Sequence, residues 1–87
     1  MPGRYRIEIK RSAAKELRAV GRKKDRQRIV ARIGALADEP RPPGCTKLSG
    51  QDAFRIRQGE YRIVYTVDDD VLVVEVIKIG NRRDVYR

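Results

Sequence analysis

The chain has 87 residues, with 21 lysines and arginines against 12 aspartates and glutamates, a formal net charge of +9. Its single cysteine, Cys45, excludes an intramolecular disulfide, and with no histidine in the chain a Cys–His nucleophile pair or a histidine-centred metal site is not expected. So large a positive excess on so small a body favours a polyanion as partner, and a chain of this size forms one compact domain, expected to span residues 1–87.

Tyr5-Arg6-Ile7-Glu8-Ile9-Lys10 alternates apolar and charged residues, the period of a half-buried strand. Tyr5, Ile7 and Ile9 are expected to face the core. Ser12 then reads as the N-cap of a first helix. Ala13, Leu17 and Val20 recur at helical spacing, and Gly21 is a plausible C-cap. A second helix is predicted from about Lys24 to Ala37, with Ile29, Ile33 and Leu36 on one stripe and Arg26, Arg28 and Arg32 on its other faces. Two short amphipathic helices in tandem need a sheet to cover their apolar stripes.

Glu39-Pro40-Arg41-Pro42-Pro43-Gly44 tolerates neither a helix nor a central strand and reads as a connector within the domain. Beyond it, Phe54 to Arg57 is a predicted strand, Gln58-Gly59-Glu60 a turn, and Tyr61 to Val67 a strand with Tyr61, Ile63, Tyr65 and Val67 on one face. Asp68-Asp69-Asp70 reads as a solvated hairpin rather than a metal loop. Val71 to Ile79 is apolar at both parities apart from Glu75 and Lys78, as expected of a strand covered on both faces in mid-sheet. The expected fold is α+β, in the order β-α-α-β-β-β, with the helices on one face of a small, mostly antiparallel, twisted sheet.

Strand alternation places Arg55 and Arg57 on one face of their strand. The turn at Gly59 brings Arg62 alongside, pointing away from the Tyr61/Ile63/Tyr65 side. Like charges on neighbouring strands repel unless solvated or met by an anion. The basic tail adds Arg82, Arg83 and Arg87, with Tyr86 among them, and is expected at one edge of the same sheet. A tyrosine between basic residues either stacks on a base or bonds a phosphate, or simply packs against the sheet edge.

Lys47-Leu48-Ser49-Gly50, Phe54-Arg55-Ile56-Arg57, Gly59-Glu60-Tyr61-Arg62-Ile63-Val64-Tyr65 and Ile79-Gly80-Asn81-Arg82-Arg83-Asp84-Val85-Tyr86 resemble, in order, the RelE/ParE toxin superfamily. The opening strand and the Ser12-Ala13-Ala14-Lys15-Glu16-Leu17 helix start are similar to it too. RelE-type members of that superfamily cut messenger RNA in the ribosomal A site. ParE-type members inhibit DNA gyrase and lack the RNA-cutting constellation. RelE-type enzymes carry two basic residues matching Arg55 and Arg57, arginines matching Arg62 and Arg82, and a tyrosine matching Tyr86.

The resemblance therefore implies a toxin of a type II toxin–antitoxin system, a metal-independent endoribonuclease needing no cofactor. It implies Arg57, Arg62, Arg82 and Tyr86 as catalytic residues and Lys47, Arg55, Arg83 and Arg87 as RNA-binding ones. The implied partners are the ribosome, mRNA and a cognate acidic, RelB-like antitoxin in a hetero-oligomer. A gyrase inhibitor of the ParE type and a non-toxic nucleic-acid-binding module are the alternatives. The best-known pattern has lysine at the two strand positions, where this chain has arginine. A guanidinium, with a pKa above ~12, does not readily give up its proton. Either Arg57 acts purely electrostatically or another group, such as Tyr86, takes the proton. No apolar stretch approaches the ~18 residues of a membrane span and no signal peptide is recognised at the start, so the cytoplasm is the expected location.

Overall fold

In a computed structural model, residues 4–48 and 52–81 are described. They form β1 (Arg6–Ile9), α1 (Arg11–Arg18), α2 (Lys23–Ala35), β2 (Thr46–Lys47), β3 (Ala53–Gln58), β4 (Tyr61–Asp68) and β5 (Val73–Asn81). The strands make one five-stranded sheet in the order β1-β5-β4-β3-β2. β1 runs parallel to β5, and every other neighbouring pair is antiparallel. β5 thus enters between the first strand and the meander, in the interior position expected from its apolar run.

α1 packs chiefly on β5, and α2 reaches β3. Their stripes, Ala13 and Val20 with Ile29, Ile33 and Leu36, meet Ile56, Ile63, Tyr65, Val74 and Val76 in one core. Removing this apolar surface from water is the main force holding the helices to the sheet. The sheet face turned away from the helices carries Arg55, Arg57 and Arg62.

Several expectations shift in detail. Ser12 lies inside α1, whose N-cap is Lys10 with no side-chain cap bond, and the C-cap is Ala19, not Gly21. α2 spans Lys23–Ala35, so its last turn ends short of Ala37. Ile9 does not face the core: it is 39% exposed, whereas Tyr5 and Ile7 pack against the core. β1 is an edge strand paired on one side only, and its last residue runs past the shelter of the helices.

The mixed parity of the last strand has a different cause from burial on both faces. β5 is irregular where Lys78 pairs with Val64 and Val76 with Tyr65, leaving Ile77 as an extra residue. A bulge of this kind resets which side chains face inward. Val74 and Val76 precede it and Ile79 follows it, and all three are buried, while Val73 and Ile77 are half-buried.

The proline-rich connector is pinned by the sheet. The Tyr65 hydroxyl donates a 2.7 Å hydrogen bond to the buried Pro40 carbonyl, and the Tyr65 ring stacks on Phe54 at 5.8 Å. The triple-acid turn is also tied in. The Asp69 carboxylate accepts from the Tyr5 hydroxyl at 2.6 Å and from Arg41 at 2.8 Å. Arg41 in turn lies over the Phe54 ring at 5.3 Å.

Candidate functional site

Gly59 adopts φ +62° in the β3–β4 turn, a left-handed conformation that costs glycine nothing and other residues appreciably. This turn sets the register in which Arg57 pairs with Arg62 and Arg55 with Val64. Directly opposed residues of an antiparallel pair project to the same side, so the three arginines share the helix-free face. On its other side Arg62 pairs with Gly80 of β5, which offers no side chain there.

The three are not equally presented. Arg57 is exposed and Arg55 half-buried. Arg62 is 1% exposed, the only charged side chain among the buried described residues. A buried charge has to be compensated, and Arg62 is engaged by other groups of the chain. The sequence pattern showed which face Arg62 takes but gave no sign of its burial, because burial depends on what lies over the face.

Lys47 lies apart from this group. It pairs with Phe54, whose ring faces the core beside Tyr65, so Lys47 belongs to the side opposite Arg55. There it borders a groove with Arg41, Asp52 and the Asp68–Asp70 turn. Arg82, Arg83, Tyr86 and Arg87 lie outside the described residues. The strand leading to them is clamped from α1: the Glu16 carboxylate accepts from the Ile79 amide at 2.9 Å and from the Lys78 ammonium at 3.1 Å.

Two of the tyrosines are unsuited to proton transfer. The hydrogen bond to Asp69 raises the Tyr5 phenol above its ordinary value. Burial, reinforced by the neighbouring Cys45 thiol, pushes the Tyr65 phenol further up. Among the described residues no group of histidine, cysteine, aspartate or glutamate side chains is placed to hold a metal ion, and no helix is long and apolar enough to cross a membrane.

Comparison with known proteins bears on the family and the fold that carry this basic sheet face. The family model of the ParE toxin of type II toxin–antitoxin systems matches residues 7–86. The chain belongs to this toxin family. Among its relatives in the wider RelE/ParE superfamily is the toxin RelE of Mycobacterium tuberculosis, 30% identical over 84 residues, covering 95% of this chain and 87% of the relative. The isolated Escherichia coli RelE toxin superposes with a TM-score of 0.78 at 32% identity, covering 94% of this chain and 90% of that one. The RelE of an archaeal RelE–RelB complex from Pyrococcus horikoshii gives 0.78 at 27% identity, over 91% and 96% of the two chains. The ParE-family toxin thus shares the RelE fold over nearly its whole length.

Proposed function

We propose that this toxin is a ribosome-dependent endoribonuclease that cuts translated mRNA in the A site and so halts translation in the cytoplasm. The observation that supports this most is the convergence of Arg55, Arg57 and Arg62 on one sheet face through the β3–β4 register. A ParE-type inhibitor, which acts by binding alone, has no need of such a cluster.

On this reading the RNA's own 2′-hydroxyl attacks the adjacent phosphate, the P–O5′ bond breaks, and a 2′,3′-cyclic phosphate and a 5′-hydroxyl result. The protein holds the linkage in line and offsets charge growing on the phosphoryl oxygens. Arg57, being exposed, meets the phosphate with its planar fork. Arg62, being buried, contributes a fixed positive field from beneath rather than an open clamp. Arg82 is assigned the role of donor to the leaving oxygen, and Tyr86 that of orienting the 2′-hydroxyl or stacking on a base. Arg55, Arg83 and Arg87 bind flanking RNA. Lys47, on the other side of the sheet, serves the RNA only where the strand passes round the β2 edge. An acidic, RelB-like antitoxin neutralises the site by covering it, as charge complementarity favours.

The gyrase-inhibitor reading keeps one point in its favour, the ParE identity of the matching family model. Induced expression followed by primer extension on a translated message separates the two. Cuts at codon positions, lost in Arg57→Gln and Tyr86→Ala, are the expected result. Uncut message together with DNA breaks would overturn the nuclease reading in favour of gyrase.

A further inference from the structure

The last turn of α2 brings one more guanidinium to the edge of the arginine face. Arg32 is half-buried and lines, with Gly44, Thr46, Arg55, Ile56 and Arg57, a cavity of about 390 Å³. The cavity exists because β2 is short. It pairs with β3 only at Phe54 and Arg55, so at Ile56 and Arg57 the outer edge of β3 lacks a strand partner among the described residues. Arg55 and Arg57 reach the opening from one side of the sheet and Arg32 from the helix layer on the other.

Three arginines therefore line one opening with no carboxylate among its described walls. Among the described residues none of the three forms a salt bridge. Grouped guanidiniums, two of them half-buried, are stabilised by a bound anion with several oxygens, and the planar fork matches phosphate or carboxylate. Two features favour phosphate on a chain. Arg55 and Arg57 belong both to the candidate reaction face and to this cavity, so a backbone lying on that face enters the cavity without leaving positive surface. Ile56 is its one large apolar wall residue among the described residues, which suits a phosphodiester better than an amphipathic peptide seeking an apolar seat.

We propose that Arg32, together with Arg55, forms a second phosphate subsite that grips single-stranded RNA next to the linkage being cut, with Arg57 at the border between the two. The inference rests on the RNA-cutting reading above and adds to it a wall of the site supplied by α2.

The test is equilibrium binding of a fluorescein-labelled single-stranded RNA dodecamer across a salt series. Each phosphate contact on a single strand contributes about 0.7 to the slope of log K against log salt. Arg32→Gln is expected to lower the slope by about 0.7, which amounts to roughly eightfold weaker binding at 50 mM salt. Arg32→Lys, which keeps the charge, is expected to keep the slope. Thr46→Glu places a carboxylate in the same cavity from an exposed strand position and is expected to weaken binding, which covers the case in which Arg32→Gln fails to fold. Lys10→Gln, at the opposite edge of the sheet, is expected to change nothing.

An unchanged slope in Arg32→Gln, an inert Thr46→Glu, or an equal loss in Lys10→Gln overturns the subsite while leaving the nuclease reading intact. So does loss of polyglutamate binding in Arg32→Gln with RNA binding unaltered. A wild-type protein that binds no RNA at any salt overturns both.

Discussion

Arg57→Gln should make this protein more stable and less active at once. Arg57 and Arg62 are opposed across β3 and β4. Like charges directly opposite on an antiparallel pair destabilise by about 0.2–1 kcal/mol. Coulomb's law gives a consistent range: two unit charges ~6 Å apart repel by about 0.7 kcal/mol at a dielectric of ~80 and about 2.8 kcal/mol at ~20. Arg57 is exposed, so the water-like figure governs, and about 0.5–1 kcal/mol is the expected gain. Glutamine keeps most of the stem's packing and removes only the charge.

For a domain of this size that gain raises Tm by about 2–8 °C. It should fade at 1 M salt, where the screening length is ~3 Å. Removing one well-placed donor should meanwhile lower cleavage on programmed ribosomes by about 10²–10³-fold. Differential scanning calorimetry at low and high salt, run beside a single-turnover cleavage assay, reads both effects. A Tm that is unchanged or lower at low salt, or a gain that persists at 1 M, would refute the charge argument. Full activity in a stabilised variant would refute the catalytic one.

Tyr65→Phe leaves the buried Pro40 carbonyl without its donor and should cost about 1–3 kcal/mol, read by urea denaturation as a lower midpoint at unchanged m-value. Asp69 is held below its ordinary carboxylate value, first by Arg41 and then by Tyr5. A depressed folded pKa contributes stability above the unfolded value, about 3.9, and that contribution is lost as pH falls through the folded one. Asp69→Asn should therefore lower stability at pH 7 and converge with wild type in acid melts as pH falls below the ordinary carboxylate range; curves that stay parallel through the whole acid limb would contradict the linkage. Glu16→Ala frees the Ile79 amide and the Lys78 ammonium together and should destabilise by about 1–3 kcal/mol. Glu16→Gln keeps the amide's acceptor and should lose less than about 1 kcal/mol, with faster hydrogen exchange at Ile79 only in the alanine variant.

The parts of the fold legible in the sequence are those governed by local periodicity. Ile29, Ile33 and Leu36 mark the inward stripe of α2, and the Tyr61-to-Val67 alternation marks the inward face of β4. Gly59 marks the turn that brings Arg57 opposite Arg62. What escaped depends on distant partners. The β5 bulge is a property of how two strands match, so Val74, Val76 and Ile79 cannot be sorted from Val73 and Ile77 by parity alone. Ser12 has the chemistry of a cap, but the chain leaves β1 and turns helical two residues earlier. Lys47 reads as part of a basic cluster until its pairing with Phe54 puts it on the other side. Arg32, read only as one of the polar residues on α2, becomes a wall of the arginine cavity because β2 begins only at Thr46, opposite Arg55.

The replacement of lysine by arginine at positions 55 and 57 narrows what the site can do. Guanidinium is a poor proton shuttle, so the contribution of these two positions to the RNA-cutting reading is electrostatic. The chain has no histidine to titrate near neutrality in their place. Tyr5 is bonded to Asp69 and Tyr65 to Pro40, and both phenols are raised, away from the range a base needs. Tyr61 packs against the core. That leaves the phenol of Tyr86, which shares the basic tail with Arg82, Arg83 and Arg87, as the candidate on the RNA-cutting reading. A site built from arginines alone stabilises charge but does not move protons, so on this reading the tail phenol or the ribosome has to complete it.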